Sequence, residues 1–136
     1  MKVGSSLRSK ERVMEQPSFV LLVEDDARLR NIIALNLKAR GYMVLQAGSF
    51  KEAVDRLSIK PRLMILDIHL PDASGWDVAG WLESNTTGVP VIVISGFDPQ
   101  RKEKARHMPK AFLPKPFEMK QLVDLVEIYA PRATTA

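Results

Sequence analysis

The sequence contains no cysteine and only two histidines among its 136 residues. Disulfides, thiolate metal sites and cysteine nucleophiles are therefore excluded. The longest apolar runs, such as residues 89–94, are far shorter than the roughly 20 residues of a transmembrane helix. Residues 1–17 lack the apolar centre of a secretory signal peptide. These absences predict a cytoplasmic protein without a membrane segment.

The composition is that of a soluble globular protein, with 46% hydrophobic and 26% charged residues. Its length allows one ordinary domain. We expect a flexible leader over residues 1–17, a folded domain over 18–130 and a tail over 131–136. The net charge of +4 is spread along the chain apart from the leader and residues 101–110. This distribution favours a solvated basic surface, with no direct binding of nucleic acid.

Five short apolar runs alternate with five segments of helical character. The apolar runs are residues 19–23, 43–47, 63–66, 90–94 and 111–113. The helical segments are residues 29–37, 50–57, 78–82, 98–107 and 119–129. This alternation predicts an α/β fold in which a five-stranded parallel sheet is doubly wound, with helices on both faces.

Polar side chains stand directly after four of the apolar runs. They are Glu24, Asp25 and Asp26 after the first, Asp67 after the third, Ser95 after the fourth and Lys115 beyond the fifth. Ligands of such sheets bind outside the carboxyl ends of the strands, so we expect these groups to converge. Converging carboxylates repel one another, and a hard divalent cation such as Mg²⁺ relieves that repulsion. A carboxylate beside the metal can act as a nucleophile toward phosphorus, with a lysine as the cationic partner of the phosphate.

Simpler interpretations remain open for several of these residues. Asp26 can cap the first helix instead of touching metal. Ser95 can be an ordinary strand residue, and Trp76 can either line the rim of the pocket or pack in the core. Asp72 and Asp77 are expected on the surfaces of a loop and a helix. A phosphatase with an aspartate nucleophile would need a second acid where His69 stands, and a Gly-x-x-x-x-Gly-Lys nucleotide loop is absent.

Four stretches, in this order and spacing, resemble the receiver domain of two-component response regulators from about residue 19 to residue 129. They are LVEDD at 22–26, DIHLPDASG at 67–75, VIVISG at 91–96 and FLPKPF at 112–117. The resemblance implies a flavodoxin-like (βα)5 fold with strand order 2-1-3-4-5. It also implies a single-domain signalling switch, either acting alone or cut from a longer native chain.

The resemblance assigns a role to each matching residue. Asp67 is the phosphoacceptor. The metal ligands are Glu24, Asp25, Asp67 and the backbone carbonyl of His69. The phosphate-binding and switch residues are Ser95, Gly96, Lys115 and Phe112, and the Lys115–Pro116 peptide bond is cis. The metal is Mg²⁺, with Mn²⁺ as an alternative.

The function that follows is phosphoryl transfer to Asp67 from a histidine kinase or a phosphotransfer protein, which switches binding to an unknown downstream protein. The chain is then a phosphoacceptor and not an enzyme that acts on a separate substrate. A homodimer through the face formed by the fourth helix, fifth strand and fifth helix is compatible with the family. The alternative function is a receiver-like interaction scaffold that works without phosphorylation.

The sequence departs from the usual family pattern before the fifth strand. Lys110 and Ala111 replace the usual Gly-Ala pair, and Phe112 lacks the hydroxyl group of a tyrosine. The segment between Ser95 and Phe112 is also about two residues shorter than expected. These departures predict a short or irregular fourth helix.

Overall fold

The computed structural model describes residues 19–57, 59–74, 76–77, 80, 88–96 and 109–132. Its strands are β1 (Phe19–Val23), β2 (Met43–Ala47), β3 (Leu63–Asp67), β4 (Val91–Ser95) and β5 (Ala111–Pro114). Its helices are α1 (Ala27–Lys38), α2 (Phe50–Leu57) and α3 (Met119–Tyr129). The predicted leader, most of the predicted third helix, the whole predicted fourth helix and most of the tail lie outside the described residues.

The five strands form one parallel sheet in the order β2-β1-β3-β4-β5. This arrangement confirms the predicted fold. Every residue of β1, β3 and β4 is buried, which explains why these strands read as unbroken apolar runs. β3, β4 and β5 each end one residue later than predicted, at Asp67, Ser95 and Pro114. Pairing in the sheet is made by backbone groups, so the polar residues Asp67 and Ser95 can still be the last residues of their strands.

Two apolar layers cover the sheet, one on each face. Alternate residues of β1 enter different layers, because successive strand residues point to opposite faces. Val20 and Leu22 pack in the layer that also holds residues of α1 and α3. Leu21 and Val23 pack in the layer that holds residues of α2. Among the described helices, none is long and apolar enough to span a membrane.

Polar caps begin the first two helices. The Asp26 side chain accepts hydrogen bonds from the backbone N–H groups of Arg28 and Leu29 at the start of α1. The Ser49 hydroxyl accepts the N–H of Glu52 at the start of α2. Both residues therefore cap helices, and for Asp26 this is one of the two roles that the sequence left open. Gly41 follows α1 with φ +92°, a conformation that favours glycine at a helix end.

Candidate functional site

The carboxyl ends of β1 and β3 bring three acidic residues together. Glu24, Asp25 and Asp67 each offer a carboxylate oxygen, and these oxygens lie within 4.8 Å of one another. Glu24 and Asp67 are buried, whereas Asp25 is exposed. The adjacent positions of β1 and β3 in the sheet account for this convergence. One exposed and two buried acids thus form an oxygen-rich cup that opens to solvent beside Asp25.

Lys115 directly follows β5, the outer strand of the sheet, and its side chain extends to this cup. Its Nζ atom lies 2.8 Å from Oε1 of Glu24 and 3.3 Å from Oδ2 of Asp67. The backbone N–H of Lys115 donates to the carbonyl oxygen of Ser95 at 2.7 Å. The following peptide bond, Lys115–Pro116, is cis, the isomer that the resemblance implies. The ammonium group thus lies between two buried carboxylates.

The proximity of these groups shifts their proton affinities. Burial raises the pKa of Glu24, and the nearby Asp67 raises it further, while Lys115 acts in the opposite direction. Burial and the neighbouring Glu24 raise the pKa of Asp25. Burial alone would lower the pKa of Lys115, but its contacts with Glu24 and Asp67 outweigh that effect and raise it. The excess negative charge of the cup is therefore only partly compensated by one lysine.

Ser95 adds a hydroxyl group at the end of β4. The residue is fully buried, and within the described part of the chain its Oγ atom is the buried side-chain polar atom without a hydrogen-bond partner. Buried hydroxyl groups in native proteins nearly always have a partner. Gly96 follows, and a Cβ atom added there would meet no atom of the described residues within 4 Å. The Ser95 hydroxyl group, with space beside the backbone of Gly96, fits a site in which a ligand oxygen accepts its hydrogen bond.

The donor set also fits a hard cation. Its side-chain donors are carboxylate oxygens, which are typical ligands of hard cations such as Mg²⁺ and Mn²⁺ rather than of softer metals. The backbone carbonyl of His69 is the remaining predicted ligand and belongs to the loop after β3. In that loop the N–H of His69 donates to Oδ1 of Asp67 at 3.1 Å, and His69 pairs with Ser74 in an isolated antiparallel bridge. The predicted ligand residues therefore surround the same point of the sheet edge.

A cavity of about 390 Å³ adjoins the acidic cup. Its lining includes Asp25, His69, Pro71, Ser74 and Trp76. Trp76 is only 9% exposed, so it both packs in the core and lines the cavity. Phe112 lies on β5 and is partly buried against the layer around α2. The cavity therefore gives a ligand room beside Asp25, at the exposed side of the acidic cup.

Two contacts near the site were not foreseen from the sequence. Arg30 of α1 donates from Nη1 to the backbone carbonyl of Glu24 at 2.7 Å and from Nε to Gln46 Oε1 at 3.2 Å. The Asp72 carboxylate, expected only on a loop surface, accepts the backbone N–H groups of Phe50 and Lys51. Neither residue follows an apolar run, so the signal that identified the other site residues is missing for both.

Comparison of the sequence with known proteins identifies one matching family. The model of the response regulator receiver domain matches residues 20–127. The transcriptional regulatory protein PdtaR of Mycobacterium tuberculosis is 35% identical over 121 residues, which cover 85% of this chain and 58% of that protein. The response regulator MprA of Mycolicibacterium vanbaalenii is 30% identical over 121 residues, which cover 87% of this chain and 52% of MprA. The chain thus spans little more than half the length of these curated relatives.

Solved structures show the same fold. The non-phosphorylated HemR receiver domain of Leptospira biflexa superposes with a TM-score of 0.76 at 27% identity, covering 85% of this chain and 94% of that one. The response regulator TrrA of Thermotoga maritima, solved in complex with Mg²⁺ and BeF, has a TM-score of 0.76 at 24% identity, covering 82% and 98%. The family model, the relatives and the shared fold agree, and the chain belongs to the response regulator receiver domains.

Proposed function

We propose that Asp67 accepts a phosphoryl group from a phosphohistidine on a histidine kinase or a phosphotransfer protein, in a reaction that needs Mg²⁺ or Mn²⁺. The observation that supports this most is the convergence of Glu24, Asp25 and Asp67 within 4.8 Å, with Lys115 bonded to two of them. A site that combines an acidic cup suited to a cation, a carboxylate and an ammonium group has the parts that phosphoryl transfer requires.

Each residue has a distinct task in the reaction. An oxygen of Asp67 forms the new bond to phosphorus while the phosphorus–nitrogen bond breaks, and its electron pair returns to the donor ring. That ring, protonated at its other nitrogen, leaves as neutral imidazole. The His69 N–H holds the other Asp67 oxygen and orients the nucleophile. A divalent cation, when bound, would neutralise negative charge on the phosphoryl oxygens.

The phosphorylated state differs from the resting state in its hydrogen bonds. Lys115 can exchange its contact with Asp67 for the phosphoryl oxygens, and Ser95 gains an acceptor for its hydroxyl group. These exchanges bias an equilibrium between two conformations, which Phe112 and the loops after β3 and β4 transmit to a downstream protein. In this proposal the chain acts as a phosphoacceptor and not as an enzyme with a separate substrate.

Intact-mass measurement with a small acyl phosphate tests the proposal. In the presence of Mg²⁺ we expect the protein to gain one phosphoryl group, and Asp67→Asn should abolish the gain because an amide is a poor nucleophile. Asp124→Asn is the control, since it changes an exposed aspartate whose contact, with Lys120, lies outside the site. EDTA should prevent the gain in the unmodified protein. A wild-type mass that stays constant with Mg²⁺ would instead favour a phosphorylation-independent scaffold.

A further inference from the structure

Asp72 joins the loop after β3 to the first turn of α2. Its Oδ1 atom accepts the N–H of Phe50 at 2.8 Å, and its Oδ2 atom accepts the N–H of Lys51 at 3.1 Å. The first N–H groups of a helix have no partner inside the helix. Asp72 supplies that partner across 22 residues of sequence. The same two bonds fix the loop to a helix that packs on the sheet.

The loop that Asp72 fixes contains residues of the site. His69, whose carbonyl is a predicted metal ligand, lies three positions before Asp72, and the His69 N–H bonds to Asp67. Ser74, two positions after Asp72, pairs with His69 across the loop. Pro71 and Ser74 line the cavity beside Asp25. Any displacement of Asp72 therefore moves both the predicted ligand carbonyl and the wall of the cavity.

The charge of Asp72 suits this task. The bond from Phe50 N–H, together with that from Lys51, keeps the pKa of Asp72 below its ordinary value. The carboxylate therefore stays ionised at neutral pH, and each of its oxygens accepts one helix N–H. Backbone N–H groups at a helix N-terminus bind an anionic group favourably.

We propose that Asp72 is a positioning residue, which anchors the loop after β3 to α2 and thereby holds the His69 carbonyl and the cavity wall in place for the cation and the phosphoryl donor. This role rests on the proposed function, because it concerns the same site. Asp72 does not touch the reacting atoms and acts through the loop. Residues that orient metal ligands commonly matter almost as much as the ligands themselves.

Amide hydrogen exchange of the metal-free protein tests the anchoring directly. We expect Asp72→Ala to accelerate exchange at His69 and Ser74 at least roughly fivefold, because it removes both bonds to α2 and the loss of one hydrogen bond already corresponds to about that factor. Ser49→Ala is the matched control, because it removes another cap of α2 without touching the loop. If Ser49→Ala accelerates the loop amides as much as Asp72→Ala does, Asp72 only stabilises the helix and the proposal is wrong.

Calorimetric titration with Mg²⁺ provides the second readout. We expect Asp72→Ala to weaken binding roughly tenfold and Ser49→Ala to leave it unchanged. Asp72→Asn should lie between wild type and Asp72→Ala, because only one of the two acceptor oxygens remains. Mg²⁺ binding by Asp72→Ala that is as tight as that of the wild type would overturn the positioning role. A wild-type protein that binds no Mg²⁺ would refute the proposed function, while the exchange measurement would still decide whether Asp72 anchors the loop.

Discussion

At the scale of single residues, the three acids of the cup are not equivalent. Glu24 is buried and bonded to Lys115, and its Oε2 atom also accepts the N–H of Asp26. Asp25 is exposed and borders the cavity. A cation entering from solvent therefore meets Asp25 before it meets the other acids.

Replacement of Lys115 should lower the stability of the fold and raise its affinity for Mg²⁺. Lys115→Met leaves the buried Glu24 without its charged hydrogen-bond donor, so the free energy of unfolding in EDTA should fall by about 2 kcal/mol. The same change removes an ammonium group that competes for the acids, so Mg²⁺ affinity should rise several-fold. Urea denaturation measures the first effect, and tryptophan fluorescence during a Mg²⁺ titration measures the second.

The control for this prediction is Lys120→Met, because Lys120 is exposed and pairs with Asp124 outside the site. It should change neither quantity appreciably. A Mg²⁺ affinity that is unchanged or weaker in Lys115→Met would show that the lysine does not compete with the cation.

The sequence predicted which residues converge but not how they interact. Glu24, Asp67 and Lys115 were identified because they follow buried strands. The Glu24–Lys115 bond and the buried hydroxyl of Ser95 depend on side-chain placement, which strand pattern does not encode. Asp72 and Arg30 were missed because a loop acid and a helix arginine normally face solvent, and only the packed structure shows their backbone partners.

At the scale of elements, the strands were the easier part. Strands buried on both faces read as continuous apolar runs, and β1 and β2 have the predicted bounds, as do α2 and α3. Asp26, Ser49 and Gly41 stand at helix ends, where their chemistry suits caps. Predictions for residues 98–107, including the short fourth helix and its part in the dimer face, concern residues outside those that the structure describes.

The helix α1 offers a test of the choice between cap and ligand for Asp26. Asp26→Ala should lower the free energy of unfolding by about 1 kcal/mol, because two N–H groups lose their acceptor. Mg²⁺ affinity should stay within about twofold of wild type, since the Asp26 side chain is engaged by the helix. Urea denaturation and calorimetry measure these outcomes. A tenfold weaker affinity would identify Asp26 as a ligand.

At the scale of the whole molecule, Tyr42 links the segment after α1 to the end of the chain's last helix. Its hydroxyl donates to the carbonyl oxygen of Ala130 at 2.7 Å in a buried position. Burial raises the pKa of Tyr42 above its ordinary value of 10.0, and the nearby Glu127 adds to the effect. The neutral phenol is therefore favoured in the folded state. Its contribution to stability is complete below pH 10 and is lost as pH rises through the higher folded-state pKa.

Tyr42→Phe should lower the free energy of unfolding at pH 7 by about 1 kcal/mol, because the buried carbonyl of Ala130 loses its donor. The variant should also lose less stability than wild type above pH 10. Urea denaturation at both pH values measures these effects. Tyr129→Phe is the matched control, since its hydroxyl bonds to Lys110 in an exposed position. An unchanged alkaline profile in Tyr42→Phe would refute the assignment.

The bond between Glu24 and Lys115 joins residues 91 positions apart. It also connects the loops after β1 and β5, which are separated by β3 and β4 in the sheet. Three strand spacings amount to about 14 Å, and the two side chains bridge that distance across the aligned ends of β1, β3, β4 and β5. A chain in which these four strands have not aligned lacks the observed arrangement. Under the proposed function, labelling of Asp67 would therefore favour molecules that have finished folding.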